Sequence, residues 1–103
     1  MRPLFPSYTL SVMQEAVRKG RYWVTYTALD GASKLNLGPD DIVTCVLELT
    51  DHDFYKSMPS RHRPGTFQDV YRPTHDGFTL YVKLQLDRRN ETVVISFKSD
   101  ESR

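Results

Sequence analysis

The chain has a single cysteine, Cys45, among its 103 residues, which excludes an internal disulfide. It has no apolar run of the 18 or more residues that a membrane span needs. Its N-terminus lacks the apolar segment of a secretory leader. With a lone thiol that suits a reducing compartment, the expected setting is the cytoplasm, with no membrane partner. Glycine is scarce: the five glycines are isolated and never take the spacing of a phosphate-cradling loop. The three histidines, His52, His62 and His75, are scattered and show no Cys/His ligand spacing. "DHD" (51–53) offers three donors in a row, but sequence neighbours rarely face the same way, so it reads as a solvated turn. No metal and no cofactor are expected. A nucleophilic triad is missing too: Cys45 lies in the apolar run "DDIVTCVLEL" and reads as a buried core thiol, and no serine sits on a recognisable elbow. Finally, neither sign of charge dominates. The net charge is +1, which argues against a protein that coats nucleic acid but leaves room for a local basic patch.

What is present reads as one folded domain, 1–103. Hydrophobic residues make up 39% and charged residues 26%, as in an ordinary soluble domain. Only the ends, "MRPLFPS" and "SDESR", read as unstructured. Residues 8–19 carry Leu10, Met13, Ala16 and Val17 at helical spacing, and Gly20 stops the run. "RYWVTY" (21–26) is β-branched and aromatic, a short extended piece. Thr27 is a candidate cap for a second helix through Leu29, Ala32 and Leu35. Gly38-Pro39 breaks it, and Asp40 and Asp41 open a third helix with the apolar face Ile42, Cys45, Val46 and Leu49.

From residue 53 the period changes to two. "DFYKSM" (53–58) and "TFQDVYR" (66–72) read as strands. "FTLYVKLQL" (78–86) places Phe78, Leu80, Val82, Leu84 and Leu86 inward and Thr79, Tyr81, Lys83 and Gln85 outward. "TVVISFK" (92–98) is read with Val93, Ile95 and Phe97 inward and Thr92, Val94, Ser96 and Lys98 outward. "THDG" (74–77) and "RRN" (88–90) are the turns. Helices first and an antiparallel meander of about four strands afterwards make an α+β domain, with helices on one face of the sheet. The other face carries Tyr81, Lys83, Lys98 and, by register, Gln68; the candidate chemical set is Lys56, Gln68, Tyr81 and Lys98, with Tyr55, Tyr71 and Arg72 near them in sequence. Lysines hold phosphate oxygens, and a phenol relays a proton or stacks on a base. The same alternation also fits a plain solvated sheet face. Tyr55 and Lys56 are neighbours, so they share a site only through a bulge or a strand end.

"DFYKSM", "QDVYRP", "LYVKL" and "VVISFK", with "SVMQEAVRKG" and "TYTAL" near the start, resemble the MqsR family, the toxin half of a bacterial toxin–antitoxin pair. The resemblance covers most of the chain, with its segments in order. It implies the RelE-like bacterial ribonuclease fold. It also implies a ribosome-independent mRNA interferase that cuts single-stranded mRNA at short GC-containing triplets and needs no metal. The catalytic set carries over to Lys56, Gln68, Tyr81 and Lys98, and substrate contacts to Tyr55, Met58 and Arg72. The implied partner is a cognate antitoxin, MqsA-like, with a zinc-bearing domain and a helix-turn-helix DNA-binding domain. The segment "PSRHRPGTF" (59–67) is richer in Pro and Arg than the family pattern, Phe67 replaces a typical tryptophan, and the "LDRRNET" hairpin is longer. The alternative is a non-catalytic RNA-binding or antitoxin-docking module on the same fold.

Overall fold

The computed structural model describes residues 5–61 and 63–100. Helix α1 spans Leu10–Arg18 and ends in a Schellman motif. Arg21 N–H reaches Ala16 O and Gly20 N–H reaches Val17 O, with Gly20 at φ +76°. Strand β1 (Tyr22–Val24) follows, then α2 (Tyr26–Ser33). Its cap is Thr25, whose hydroxyl accepts from Ala28 N–H, rather than the expected Thr27. Thr25 wins because it also donates to Ile95 O at 2.8 Å, which ties the cap to the sheet. Helix α3 (Pro39–Glu48) starts as expected, with Asp41 accepting from Gly38 N–H.

The sheet holds β2 (Phe54–Pro59), β3 (Phe67–Tyr71), the two-residue β4 (Thr74–His75), β5 (Phe78–Leu86) and β6 (Thr92–Ser99). The order is β1-β6-β5-β3-β2, with β4 paired to β5. All pairings are antiparallel except β1 with β6, which is parallel. The extended piece at 22–24 thus becomes an edge strand, something local pattern does not reveal. The α+β architecture is as expected.

The core lies between the helices and one sheet face. Met13, Ala28, Ala32, Ile42, Cys45 and Val46 meet Tyr71, Leu80, Val82, Leu84, Val94 and Phe97 there. Helix α2 comes so close to β6 that a Cβ on Gly31 would collide with Phe97 O. The Gln14 amide donates to the carbonyls of Val46, Leu47 and Leu49, satisfying the free C-terminal end of α3. Buried Asp69 accepts from the backbone N–H groups of Ser7 and Tyr8, both at 2.9 Å. Ser7 is therefore tied down, and so is Asp100, which pairs with Arg72; the expected unstructured ends do not begin at these residues. The rest of that expectation, on residues 1–4 and 101–103, lies outside the described residues, as does the reading of His62.

One strand departs from its expected phase. Thr92 and Val94 are buried, while Val93 and Ile95 are only half-buried. The cause is a bulge: Lys83 pairs with Ser96 but Leu84 pairs with Val94, leaving Ile95 as the extra residue. Phe97 stays inward and Lys98 outward because they lie beyond the bulge. No helix among the described residues is long and apolar enough to cross a membrane.

Candidate active site

The face of the sheet turned away from the helices presents its polar side chains in rows. Residues directly opposite one another share a face, so register alone assigns them. One row runs Lys56, Val70, Lys83, Ser96 across four strands. Tyr81 stands opposite Lys98 in the row on one side. On the other side Met58 stands opposite Gln68, and Gln68 Nε2 donates to Gln85 Oε1 at 3.5 Å. Lys56 and Lys83 lie two strands apart, ~10 Å at Cα. Val70 lies between them and is fully buried although the helices are on the other side.

Tyr81 is the hub. Lys98 Nζ lies 5.1 Å from its ring centroid and Lys83 Nζ 5.9 Å. Its hydroxyl faces Met58 Sδ at 4.0 Å, a weak contact. Burial, then Tyr55 and Asp100, push the Tyr81 phenol up from its usual range, so it keeps its proton at neutral pH. Lys83 is pushed the other way, by burial first, then by Lys98, Lys56 and Arg61. No acidic side chain among the described residues pairs with Lys56, Lys83 or Lys98.

The seven expected site residues come together. The register slips between Phe54 and Lys56, and this is the bulge that lets Tyr55 join Lys56. Lys56 Nζ lies 5.4 Å from the Tyr55 ring centroid, and Arg72 Cζ lies 4.7 Å from it. Arg72 is also ion-paired to Asp100, whose side chain is 1% exposed. Much of its charge is thereby offset, and its planar group is held over the ring. Two further members of the face, Lys83 and Gln85, are placed on it by alternation, which does not mark them as functional. The signal that finds Lys83 is electrostatic: it stands among like charges in the middle of the face.

The face is open surface. A cavity of about 470 Å³ lies between α2 and β6, lined by Asp30, Gly31, Lys34, Ser96 and Lys98 among others, and shares Lys98 with this face. An open, cationic, aromatic face suits a polymer strand better than a small molecule. Among the described residues no group of three or more His, Cys, Asp or Glu side chains is placed to hold a metal ion.

The chain is similar to known proteins over most of its length. The family described as motility quorum-sensing regulator, toxin of MqsA, matches residues 5–99. The mRNA interferase toxin MqsR of Escherichia coli (strain K12) is 32% identical over 93 residues, which cover 90% of this chain and 93% of that protein.

Proposed function

This chain belongs to the family of motility quorum-sensing regulators that are toxins of MqsA, and on that basis we propose that its open sheet face is the active site of a metal-independent mRNA interferase. The enzyme is an endoribonuclease that cuts single-stranded mRNA in the cytoplasm and so stops translation and growth. The observation that carries the reading is the gathering of Lys56, Gln68, Tyr81 and Lys98 on one face, around a phenol flanked by the amino groups of Lys83 and Lys98. A module that merely docked RNA or an antitoxin would need the cations and the rings, but not all four of these residues together.

In the reaction the ribose 2′-oxygen bonds to the adjacent phosphorus and the bond from phosphorus to the 5′-oxygen breaks. A base takes the 2′-hydroxyl proton and an acid protonates the leaving 5′-oxygen. Negative charge grows on the non-bridging oxygens, where Lys56 and Lys98 stabilise it. Tyr81 keeps its proton and is the acid; Lys83, beside it with Nζ 5.9 Å from the ring and with its charged form disfavoured by burial and by Lys98, Lys56 and Arg61, is the base. Gln68, Tyr55 and Met58 hold the nucleotide, and Arg72, stacked on Tyr55, fixes that ring. The preferred cut is at short GC-containing triplets. The antitoxin partner carries a zinc-bearing domain and a helix-turn-helix domain.

The mechanism needs the 2′-hydroxyl and no metal. An oligonucleotide with one 2′-deoxy sugar at the cut site will resist cutting there. The all-ribose strand will be cut in excess EDTA, leaving a 2′,3′-cyclic phosphate or 3′-phosphate upstream and a 5′-hydroxyl downstream. Equal rates on the two strands would refute the mechanism.

A further inference from the structure

Strand β5 carries Tyr81, Lys83 and Gln85 on the open face, a row of ~13 Å at strand rise. The row does not end at Gln85. That residue bonds Gln68 and also lines a groove of about 430 Å³ with Arg63, Thr66 and Arg88. A second hollow of about 220 Å³ shares Arg63 and Arg88 and adds Arg89 and Trp23. Two separate connections, the β2–β3 loop and the β5–β6 hairpin, thus bring arginines to one place beside the only tryptophan of the chain.

The chemistry of this groove is that of a strand-binding subsite. Arg63, Arg88 and Arg89 form no ion pair with an acidic side chain among the described residues. Two carboxylates lie with them, and both are engaged. Asp87 accepts from the backbone N–H groups of Arg89 and Glu91, and Glu91 accepts from Trp23 Nε1 at 2.7 Å. That last bond fixes the indole by its edge and leaves its faces open; Trp23 is 61% exposed. Fixed aromatic faces and unpaired guanidinium groups are what bases and phosphates of a single strand need. Net charge gives no hint of this, because +1 overall hides where the cations lie.

We propose that the Arg63–Arg88–Trp23 groove is a second RNA subsite, which holds the single strand several nucleotides from the scissile phosphate after it has run along β5. This rests on the reading of the sheet face as a ribonuclease site. The occupant is RNA rather than an acidic segment of a protein partner, because the groove continues directly from Gln85 and Gln68 into the cleavage face.

The test compares a long RNA with one trimmed to a few nucleotides around the cut. The double variant Arg63→Gln/Arg88→Gln will raise KM for the long RNA about tenfold more than for the trimmed one, with kcat kept. It will flatten the slope of log K against log salt by about 1.4, roughly 0.7 for each phosphate no longer neutralised. Trp23→Ala will raise the long-RNA KM by on the order of tenfold. Arg18→Gln, a charge removed from exposed α1, will leave both substrates unchanged. Trp23 fluorescence, which reports this hollow alone, will change when a 2′-O-methyl RNA strand, which has no nucleophile and cannot be cut, is added to wild type. If the double variant affects long and trimmed RNA equally, or neither, the subsite does not exist. If it weakens only antitoxin binding, the groove belongs to the protein partner and the proposal falls. If wild type cuts no RNA at all, the ribonuclease reading fails, and Trp23 fluorescence with the 2′-O-methyl strand still decides whether the groove binds RNA.

Discussion

Lys83, Tyr71 and Tyr81 separate function from stability at the level of single residues. Lys83 has its ionised form disfavoured in the fold. That penalty is present below the folded pKa and disappears as the pH rises through the unfolded value. Lys83→Met keeps an apolar side chain of similar length opposite Val70 and removes the charge. At pH 7 its melting temperature should therefore equal or exceed that of wild type, and any gap should close at alkaline pH. Cleavage should fall by on the order of 100-fold. The rise of kcat with pH, which a lysine base imposes, should vanish; a pH–rate profile beside thermal melts checks both. Tyr71 and Tyr81 make a second pair. The Tyr71 hydroxyl is buried with no hydrogen-bond partner among the described residues, and burial raises its pKa. Tyr71→Phe removes a group that gains nothing, so it should stabilise by roughly 1 kcal/mol and leave cleavage intact. Tyr81→Phe should do the reverse: stability within ~0.5 kcal/mol and cleavage abolished. Chemical denaturation and a cleavage assay on both variants distinguish the two phenols.

Strand β6 shows how one element can be misread by a single residue. Alternation from Thr92 predicts Val93 and Ile95 inward, and the bulge at Ile95 reverses this by bringing Thr92 and Val94 against the helices. Thr92 offsets its hydroxyl's burial cost by donating to Met13 O at 2.8 Å. Val94→Ala should therefore cost about 2 kcal/mol, from weaker apolar packing and the cavity left behind. Val93→Ala, on the half-buried side, should cost less than ~1 kcal/mol. Denaturant midpoints for the two variants measure the phase of the strand directly, and equal losses would contradict the bulge. The bulge also matters for the site, since without the extra residue Lys98 could not share a face with Tyr81 while Val94 stayed in the core.

In the molecule as a whole, helices cover one sheet face and leave the other open, the face proposed to take the substrate. Lys56, Lys83 and Lys98 stand on that face and Arg63, Arg88 and Arg89 in the adjoining groove, so a net charge of +1 does not describe this region. The antitoxin named by the family is the second macromolecule the fold must meet. With no ligand cluster among the described residues, zinc in the purified complex should belong to the antitoxin. Elemental analysis should find zinc in the complex and none in stoichiometric amount in the free toxin; zinc retained by the free toxin would contradict the assignment.

Elements whose signal is local are legible in the chain before it folds. Gly20 ends α1 because a left-handed residue closes the Schellman turn, and Asp41 starts α3 because its carboxylate reaches back to Gly38 N–H. The alternation of β5 survives from Leu80 onward, so Tyr81 and Lys83 are legible as face residues from one strand alone; Phe78, expected inward, is exposed because it lies at the strand's start beside the two-residue β4. The association of Lys56, Gln68, Tyr81 and Lys98 is legible through resemblance, not spacing. Features that depend on partners distant in sequence emerge only with the assembled sheet: β1 pairing parallel to β6, Thr25 rather than Thr27 capping α2 through Ile95, and the bulges at Tyr55 and Ile95. Folding alone places Lys83 among Lys56, Lys98 and Arg61, and Arg63 beside Arg88 and Trp23. Periodicity reports only which neighbours along the chain share a face. Charge repulsion, strand register and groove walls depend on residues dozens of positions apart, and these become neighbours only when the sheet forms.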